Sequence, residues 1–495
     1  MKRVGLLVLL ALGAGGCVSG DSASSGAVRM LHATPDAPRM SLYVNDDLKA
    51  ANLDYRSGSA WLAFASGGYD IRIVERLPYD PDADPDERTI FDERLAFDVN
   101  DEVTLVVVGS AAGQAEEVLQ IPTRTHGVPT AKTRVQVVHA AAGVPGVDVY
   151  VIAPDALVSA STPFASGLAY KSWTPQSELA GGNARVVVTA AGNPAEVLLD
   201  SQQLYLTLEG TLLIAVVTNP GLDAAAHPLQ LTVLTGTGAA VVLDSGTSGN
   251  LRLVNASPGA YTLDAFVNAT SVDDSARQAC DPPTPGGTTL VTRCALAYQA
   301  IGPFDALTPA NYEIKLQKSD AAAVTARSFA VGLTAGFEQT ALATGLVSDT
   351  ATTTEVTLQS YANARRVATA GQLRILDVSL AGDAVVAGDP TTDRLELYIT
   401  AACAALADED PDFTGVRKGA DTGPLFYEAG NYQVTLAKGD TATPDAAPTV
   451  LLTKRVTLAT SGLYTLAIVD SVGGVQPLQF LSLDDDPALA DCPAP

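Results

Sequence analysis

The chain has 495 residues, of which 47% are hydrophobic and 17% charged, and its formal net charge at pH 7 is −25. A chain of this length exceeds one hydrophobic core and predicts about three to five domains. The apolar content excludes a wholly disordered chain, and the acidic charge excludes nucleic acid as a favoured partner, because phosphate backbones are bound by clustered Lys and Arg.

The N-terminus is organised like a secretory signal. Met1-Lys2-Arg3 precedes an apolar run over residues 4–12, which is too short to span a bilayer, and Ala14-Gly15-Gly16-Cys17 follows. This string resembles the bacterial lipobox. The resemblance implies that residues 1–16 are a cleaved signal peptide, that Cys17 carries lipid, and that residues 17–27 are a flexible tether. An ordinary signal peptide with an unrelated cysteine is the alternative. Val18 favours the outer membrane, where the protein would face the periplasm or the cell surface.

Five short segments recur in the same order four times along the rest of the chain. An opening string ends on a polar residue, an aromatic follows, and then come a turn residue with Tyr, an apolar strand and a closing Leu-Gln pair. The opening strings are residues 28–32, 135–139, 251–255 and 373–377, and the aromatics are Tyr43, Tyr150, Phe266 and Tyr398. The copies are therefore predicted at residues 28–122, 133–235, 250–361 and 371–492.

The recurring segments are short, alternate apolar with polar residues, and are rich in Val, Leu, Thr and Tyr. This pattern predicts an all-β protein of tandem antiparallel β-sandwiches, immunoglobulin-like, with about seven strands in each copy. Each copy is expected to fold alone, since each has its own strand set. The predicted core of copy 1 consists of Leu31, Leu42, Val44, Trp61, Phe64, Ile71, Ile73, Leu105, Val107 and Leu119.

The start of copy 1 carries a family resemblance. His32-Ala-Thr-Pro-Asp-Ala-Pro38, followed by Leu42-Tyr43-Val44 and Gly68-Tyr69, resembles the bacterial domain-of-unknown-function family 4397. Copies 2 and 3 keep parts of this string, and copy 4 is divergent. The resemblance implies an exported β-sandwich domain, often in tandem and lipid-anchored, and it brings no catalytic residues.

One polar residue ends the opening string of every copy: His32, His139, Asn255 and Asp377. One hypothesis is a ligand or metal site at the two histidines. The other is a strand-end side chain that hydrogen-bonds the following turn, which Asn and Asp do well. The change from His to Asn and Asp favours the second interpretation.

Four cysteines remain after Cys17. An even number in an exported protein suggests two disulfides, and three pairings are open. Cys280–Cys294 and Cys403–Cys492 are favoured, because each pair then lies inside one copy.

Other motifs indicate little chemistry. Asp80, Asp82, Asp84 and Asp86 form an acidic run that could bind Ca²⁺ weakly, but Pro85 stands where a calcium loop requires Gly, which favours a solvated loop. The segment 236–241 superficially resembles a dinucleotide loop and is predicted to be a linker. The sequence has no GxSxG elbow and no HExxH motif.

The sequence thus predicts a non-catalytic, lipid-anchored envelope protein without a cofactor. Its membrane contact would be the lipid anchor, and its repeated domains would serve binding, adhesion or spacing, with a polysaccharide or an envelope protein as ligand. A hydrolase of envelope or extracellular polymer is one alternative. A structural component of an envelope complex is the other.

Overall fold

A computed structural model describes most of the chain from Ser25 to Asp485. The described residues are 25–76, 87–258, 262–270, 278, 280, 289–319, 327–345, 356–382, 393–406, 409–440, 448–471, 477–485 and 487. Within them β-strands dominate, and no helix is long and apolar enough to cross a membrane. Cys17, Cys492 and the acidic run at 80–86 lie outside the described residues.

The described residues of copies 1 and 2 together contain eighteen strands. Those of copy 1 are β1 (Ser25–His32), β2 (Met40–Val44), β3 (Asp47–Leu53), β4 (Leu62–Ala65), β5 (Gly67–Arg76), β6 (Glu87–Phe97), β7 (Glu102–Val108) and β8 (Glu117–Thr123). Those of copy 2 are β9 (Lys132–His139), β10 (Val147–Ile152), β11 (Ala165–Leu168), β12 (Ser177–Ala180), β13 (Gly182–Ala190), β14 (Asn193–Asp200), β15 (Leu204–Leu206), β16 (Thr211–Thr218), β17 (Leu229–Leu234) and β18 (Ala239–Val242).

Copies 3 and 4 have eight described strands each. Those of copy 3 are β19 (Gly249–Asn255), β20 (Leu263–Asn268), β21 (Thr289–Leu296), β22 (Asp305–Leu307), β23 (Ala310–Lys318), β24 (Arg327–Leu333), β25 (Glu338–Thr344) and β26 (Thr357–Ala362). Those of copy 4 are β27 (Gly371–Asp377), β28 (Asp393–Ala401), β29 (Phe413–Val416), β30 (Leu425–Tyr427), β31 (Gly430–Asp440), β32 (Thr449–Leu458), β33 (Leu463–Asp470) and β34 (Leu478–Asp484).

All four copies share one topology, and the predicted β-sandwich fold is confirmed. In copy 1 the strand order is β4-β1-β7-β8 in one sheet and β3-β2-β5-β6 in the other, and the other copies repeat these orders. Copy 2 has two additional strands, β15 and β18. With these two left out of the count, the recurring segments found in the sequence are the first, second, fifth, seventh and eighth strands of each sandwich. Most neighbouring strands pair antiparallel, as predicted, with one exception in each copy. The first and seventh strands pair in parallel in every copy, for example Leu31 beside Val106.

The copies are associated in pairs. The described residues up to Thr247 form one compact unit and those from Ser248 onward form another. We call copies 1 and 2 the first pair, and copies 3 and 4 the second pair. We call the sheet that contains the first strand of a copy its inner sheet, and the other its outer sheet. Nearly every residue of the first and seventh strands is buried, which shows that the inner sheets are covered on both faces.

A shared apolar layer joins the two inner sheets of each pair. In the first pair, Leu31, Val106 and Leu119 of copy 1 pack with Leu213 and Val217 of copy 2. The second pair repeats the arrangement with Val254, Leu342, Leu376, Ala467 and Val469. The sheets within a pair therefore stack as outer, inner, inner, outer. An isolated copy would expose this layer to water, so we now expect the two copies of a pair to fold together, and the prediction that each copy folds alone stays to be tested.

The predicted core of copy 1 is therefore divided. Leu42, Val44, Ile71, Ile73, Leu105 and Val107 are buried inside the copy, as predicted. Leu31 and Leu119 instead belong to the layer shared with copy 2. Trp61 and Phe64 are only partly buried, and the guanidinium carbon of Arg29 lies 4.3 Å from the Trp61 ring centroid.

Polar side chains, buried in copies 1, 2 and 3 and partly buried in copy 4, cross each pair from one repeat position, the second residue of the opening string. In the first pair, Arg29 donates to the carbonyl of Thr235, and Gln136 Nε2 donates to the carbonyl of Pro122 at 3.4 Å. Each acceptor lies on or beside the eighth strand of the other copy. Burial lowers the pKa of Arg29 to about 9, so the guanidinium remains a cation at neutral pH.

The same position bridges the second pair. Arg252 donates to Asp484, and Arg374 Nη1 donates to the carbonyl of Ala362 at 2.8 Å. The side chains of Arg252 and Asp484 are 7% and 3% exposed, so this is a buried ion pair.

The predicted linker at 236–241 is in part a strand. Thr235 N donates to the carbonyl of Gly238 at 2.8 Å, closing a turn, and β18 then pairs with β17 at the edge of the inner sheet. The segment therefore adds a strand to the inner sheet of copy 2 and is not simply a linker.

Candidate functional site

The polar residues that end the opening strings are buried, and their side chains form hydrogen bonds within the fold. In copies 1 and 2, Nδ1 of His32 and of His139 accepts the N–H two residues later, at 3.3 Å in both cases. Their Nε2 atoms lie 2.9 and 3.0 Å from the carbonyls of Pro38 and Pro145. An accepting Nδ1 requires the proton on Nε2, which then donates to the proline carbonyl.

Copies 3 and 4 repeat the bond without histidine. Asn255 Oδ1 accepts Ser257 N at 3.0 Å, and Asp377 Oδ1 accepts Ser379 N at 2.9 Å. Burial is the main cause that lowers the pKa of His139, which favours the neutral ring. All four side chains accept the backbone N–H of the residue two positions later. This shared bond supports the interpretation that they stabilise the following turn.

The Pro-Asp part of the copy 1 signature also has a structural role. Asp36 accepts Ser110 Oγ at 2.6 Å, Ala111 N at 3.0 Å and Ala112 N at 3.1 Å. Burial pushes the pKa of Asp36 upward, but these hydrogen bonds outweigh it and hold the pKa below its usual value. The carboxylate therefore fastens the loop between β1 and β2 to the residues that follow β7.

Two buried acids near this turn share one arginine. Arg88 Nε donates to Glu75 Oε1 at 2.5 Å, and Arg88 also donates to Glu116. The side chains of Glu75 and Glu116 are 0% and 2% exposed. Burial raises the pKa of Glu75, partly offset by Arg88. Two carboxylates held on one guanidinium and shielded from water differ from the water-accessible acid pair that a glycosidase uses.

The other two histidines lie beside carboxylates. His227 Nδ1 is 3.0 Å from Asp244 Oδ1, and His126 Nδ1 is 3.5 Å from Glu102 Oε1. Asp244 also accepts the backbone N–H groups of Asp200 and Gly246, at 2.6 and 2.7 Å. These bonds attach the last segment of copy 2 to the sheet.

The cysteines of copy 3 are joined. Cys280 and Cys294 form a disulfide with an S–S distance of 2.02 Å. Asp264 lies close to both sulfurs, but the disulfide leaves neither as a thiolate for a metal ion. Cys403 is also disulfide-bonded. Its predicted partner Cys492 lies outside the described residues, so that pairing stays a prediction.

The aromatic residue of each second strand points to the outer face of the outer sheet. In copy 2, Tyr150, Val187 and Thr189 on this face are 4%, 0% and 0% exposed. In copy 4, Tyr398 and Thr435 are 3% and 1% exposed. In both copies the outer face is therefore covered.

The outer face of copy 1 is open by comparison. Tyr43 and Arg72 hold the positions of Tyr150 and Val187 and are partly exposed, and Asp70 and Arg94 beside them are exposed. The cause is local. Strand β2 enters β3 through Asn45 and Asp46, whose φ angles of 49° and 63° are typical of a two-residue hairpin turn, so the connection between these two strands does not cross the face.

We call this surface the open face and define it by Tyr43, Asp70, Arg72, Glu87 and Arg94. Tyr43 Oη donates to Glu87 Oε1 at 3.1 Å, and the guanidinium carbon of Arg72 lies 4.4 Å from the Tyr43 ring centroid. Arg94 Nη1 donates to Asp70 Oδ1 at 2.8 Å. Burial, and then Glu87, raises the pKa of Tyr43, so the phenol keeps its proton. The face offers an aromatic ring, cationic donors and carboxylate acceptors together.

The fold defines a protein of tandem, paired β-sandwiches. Residues 26–150 match the model of a domain of unknown function, DUF4397, which spans copy 1 and the first two strands of copy 2. The resemblance to this family is thus confirmed for that part of the chain. No curated protein matches the chain.

Three solved structures show a weak likeness. A candidate cell adhesion protein from Bacteroides ovatus is 11% identical, with a TM-score of 0.19, and the match covers 47% of this chain and 96% of that one. One from Parabacteroides distasonis is 9% identical, with a TM-score of 0.17, over 47% and 98%. A leucine-rich repeat protein from Bacteroides thetaiotaomicron is 12% identical, with a TM-score of 0.12, over 44% and 26%.

Proposed function

We propose that this protein is a non-catalytic binding protein of the bacterial cell envelope. Its paired sandwiches form a scaffold, and copy 1 presents the open face to a ligand. The observation that carries the proposal is the contrast between covered and open outer faces. The outward residues Tyr150 and Tyr398 are buried in their copies, whereas Tyr43 is partly exposed beside Arg72 and Glu87.

The internal use of the other polar groups supports a non-catalytic role. Four groups of the kind that serve acid–base chemistry, His32, His139, Asp36 and Glu75, each have a hydrogen-bond partner in the fold. A group whose lone pairs are taken by backbone or by arginine is poorly placed to transfer a proton to a substrate.

The envelope location is proposed from the signal-like N-terminus, with Cys17 as the lipid anchor and the outer membrane as the destination. The Cys280–Cys294 disulfide supports export, since such bonds persist in oxidising compartments. Replacing Cys17 with Ser should move the protein from the membrane fraction to the soluble fraction. Retention of C17S in membranes washed with high salt would show that the anchor is elsewhere.

Binding can be tested with the mature chain immobilised and exposed to a panel of purified polysaccharides and envelope proteins. At least one ligand should bind wild type and lose at least about tenfold in affinity for Arg72→Glu, which reverses a charge at the centre of the face. The matched control is Arg455→Glu, a charge reversal on β32 of copy 4. Ligands bound equally by wild type and R72E would overturn the assignment of the face, and breakdown of a bound polymer would overturn the non-catalytic role.

A further inference from the structure

The covering of the outer faces indicates the chemical class of the ligand. In copy 2 the connection between β10 and β11, residues 153–164, crosses the outer face. Arg185 Nη2 on β13 donates to the carbonyl of Ala156 at 2.8 Å, and the turn Val158–Ala160 lies against β14. The occupant of this face is therefore a stretch of irregular polypeptide.

Copy 4 has the same arrangement. Its connection between β28 and β29 begins at Ala402, and Gln433 Nε2 on β31 lies 3.5 Å from the carbonyl of Ala404. Ile399 N also donates to Asp412 Oδ2 at 2.6 Å, which holds the far end of the connection. Gln433 and Arg185 occupy the same position, since each pairs with the residue two after the strand-two tyrosine. In both copies a donor there binds a main-chain carbonyl.

Copy 1 keeps the surface but lacks the segment. The position of Arg185 and Gln433 is held by Asp70, an acceptor, and the position of Val187 and Thr435 by Arg72, a donor. Acceptors and donors alternate across the face, as main-chain N–H and C=O groups alternate along a polypeptide. A partner segment could donate to Asp70 and Glu87 and accept from Arg72, whatever its sequence.

We propose that the open face of copy 1 docks a polypeptide segment supplied by another protein, in the place that copies 2 and 4 fill with their own connections. This inference rests on the proposed binding function and names its ligand class. The segment would be about as long as residues 153–164 and would bury Tyr43.

The test uses the full mature chain and a displayed library of random peptides of about 12 residues. Selected peptides should bind wild type with a Kd on the order of micromolar and lose at least about tenfold in affinity for Tyr43→Ala and for Arg72→Glu. Tyr205→Ala, which removes a tyrosine that is 59% exposed in copy 2, is the control and should bind as wild type does. Matching circular dichroism and melting of each variant will show that the fold is kept.

The outcomes separate the two proposals. If no peptide is enriched, or if peptides bind Y43A and R72E as well as wild type, the polypeptide inference is wrong. If in that case a polysaccharide binds wild type but not R72E, the binding function of the face stands with a different ligand. If neither peptides nor polysaccharides distinguish wild type from R72E, both proposals are wrong.

Discussion

The phenol of Tyr55 in copy 1 donates a hydrogen bond of 2.6 Å to the backbone carbonyl of Thr218 in copy 2. Tyr298, at the same position of copy 3, donates to the carbonyl of Asp470 in copy 4. Both acceptors end the seventh strand of the partner copy. The same contact therefore joins the two copies within each pair, and the pairing is a property of the repeat.

Removing the Tyr55 hydroxyl should weaken the first pair. Tyr55→Phe keeps the ring beside His32 but leaves the Thr218 carbonyl without this donor, which should cost about 1–2 kcal/mol of unfolding free energy. Urea unfolding followed by circular dichroism measures the change. Tyr205→Phe removes an exposed hydroxyl and should cost little. Equal effects of the two substitutions would show that the interface bond adds nothing.

A cavity in the shared layer should be more costly. Leu213 of copy 2 is 0% exposed and packs in the layer between the inner sheets, so Leu213→Ala should lower the unfolding free energy by about 2–5 kcal/mol. Leu208→Ala, at a residue that is 48% exposed, is the matched control. A loss for L213A no greater than that for L208A would contradict a packed interface.

The buried ion pair of the second pair can be measured by a double-mutant cycle. Arg252→Ala leaves the Asp484 carboxylate buried without its guanidinium, which should cost about 3–5 kcal/mol. Adding Asp484→Asn to R252A should recover part of that loss, because the buried charge is then removed. If the single losses simply add in the double variant, the two side chains do not interact.

The buried histidine of copy 2 should make stability depend on pH. Because the pKa of His139 is lowered in the folded chain, the unfolded chain takes up the proton first as the pH falls below about 6.5. Its contribution to stability is present above that pH and is lost progressively below it. His139→Asn keeps an acceptor, as Asn255 does in copy 3, and should flatten the fall between pH 7.5 and pH 5.5. Urea midpoints at the two pH values will show this, and an unchanged slope would rule the residue out.

The sequence predicts where the strands of this protein lie better than it predicts what their faces pack against. Alternation identified Leu42 and Ile73 as core residues, because their strands are buried on one face. It placed Leu31 and Leu119 in the wrong layer, because the inner sheet is buried on both faces and alternation then no longer marks its own core. The run Leu105-Val106-Val107-Val108 is the signal of that second buried face.

The sequence marks the position of the open face, but the alternation of apolar and polar residues does not show that the face is open. The matched aromatics mark one strand position, but their alternation does not show whether another segment covers them. That depends on the connection after the second strand, which is the two residues Asn45 and Asp46 in copy 1 and residues 153–164 in copy 2. The length of this connection distinguishes the copies, and the hydrophobic pattern does not.

Urea unfolding of two fragments tests the pairing most directly. Residues 25–247 should unfold in one cooperative transition, monitored by both circular dichroism and tryptophan fluorescence. Residues 25–123 alone should lack a cooperative transition or aggregate, because the layer around Leu31 and Leu119 would be exposed. A monomeric 25–123 fragment with a sharp transition of its own, or two separate transitions in 25–247, would show that the copies fold independently and would contradict the paired unit.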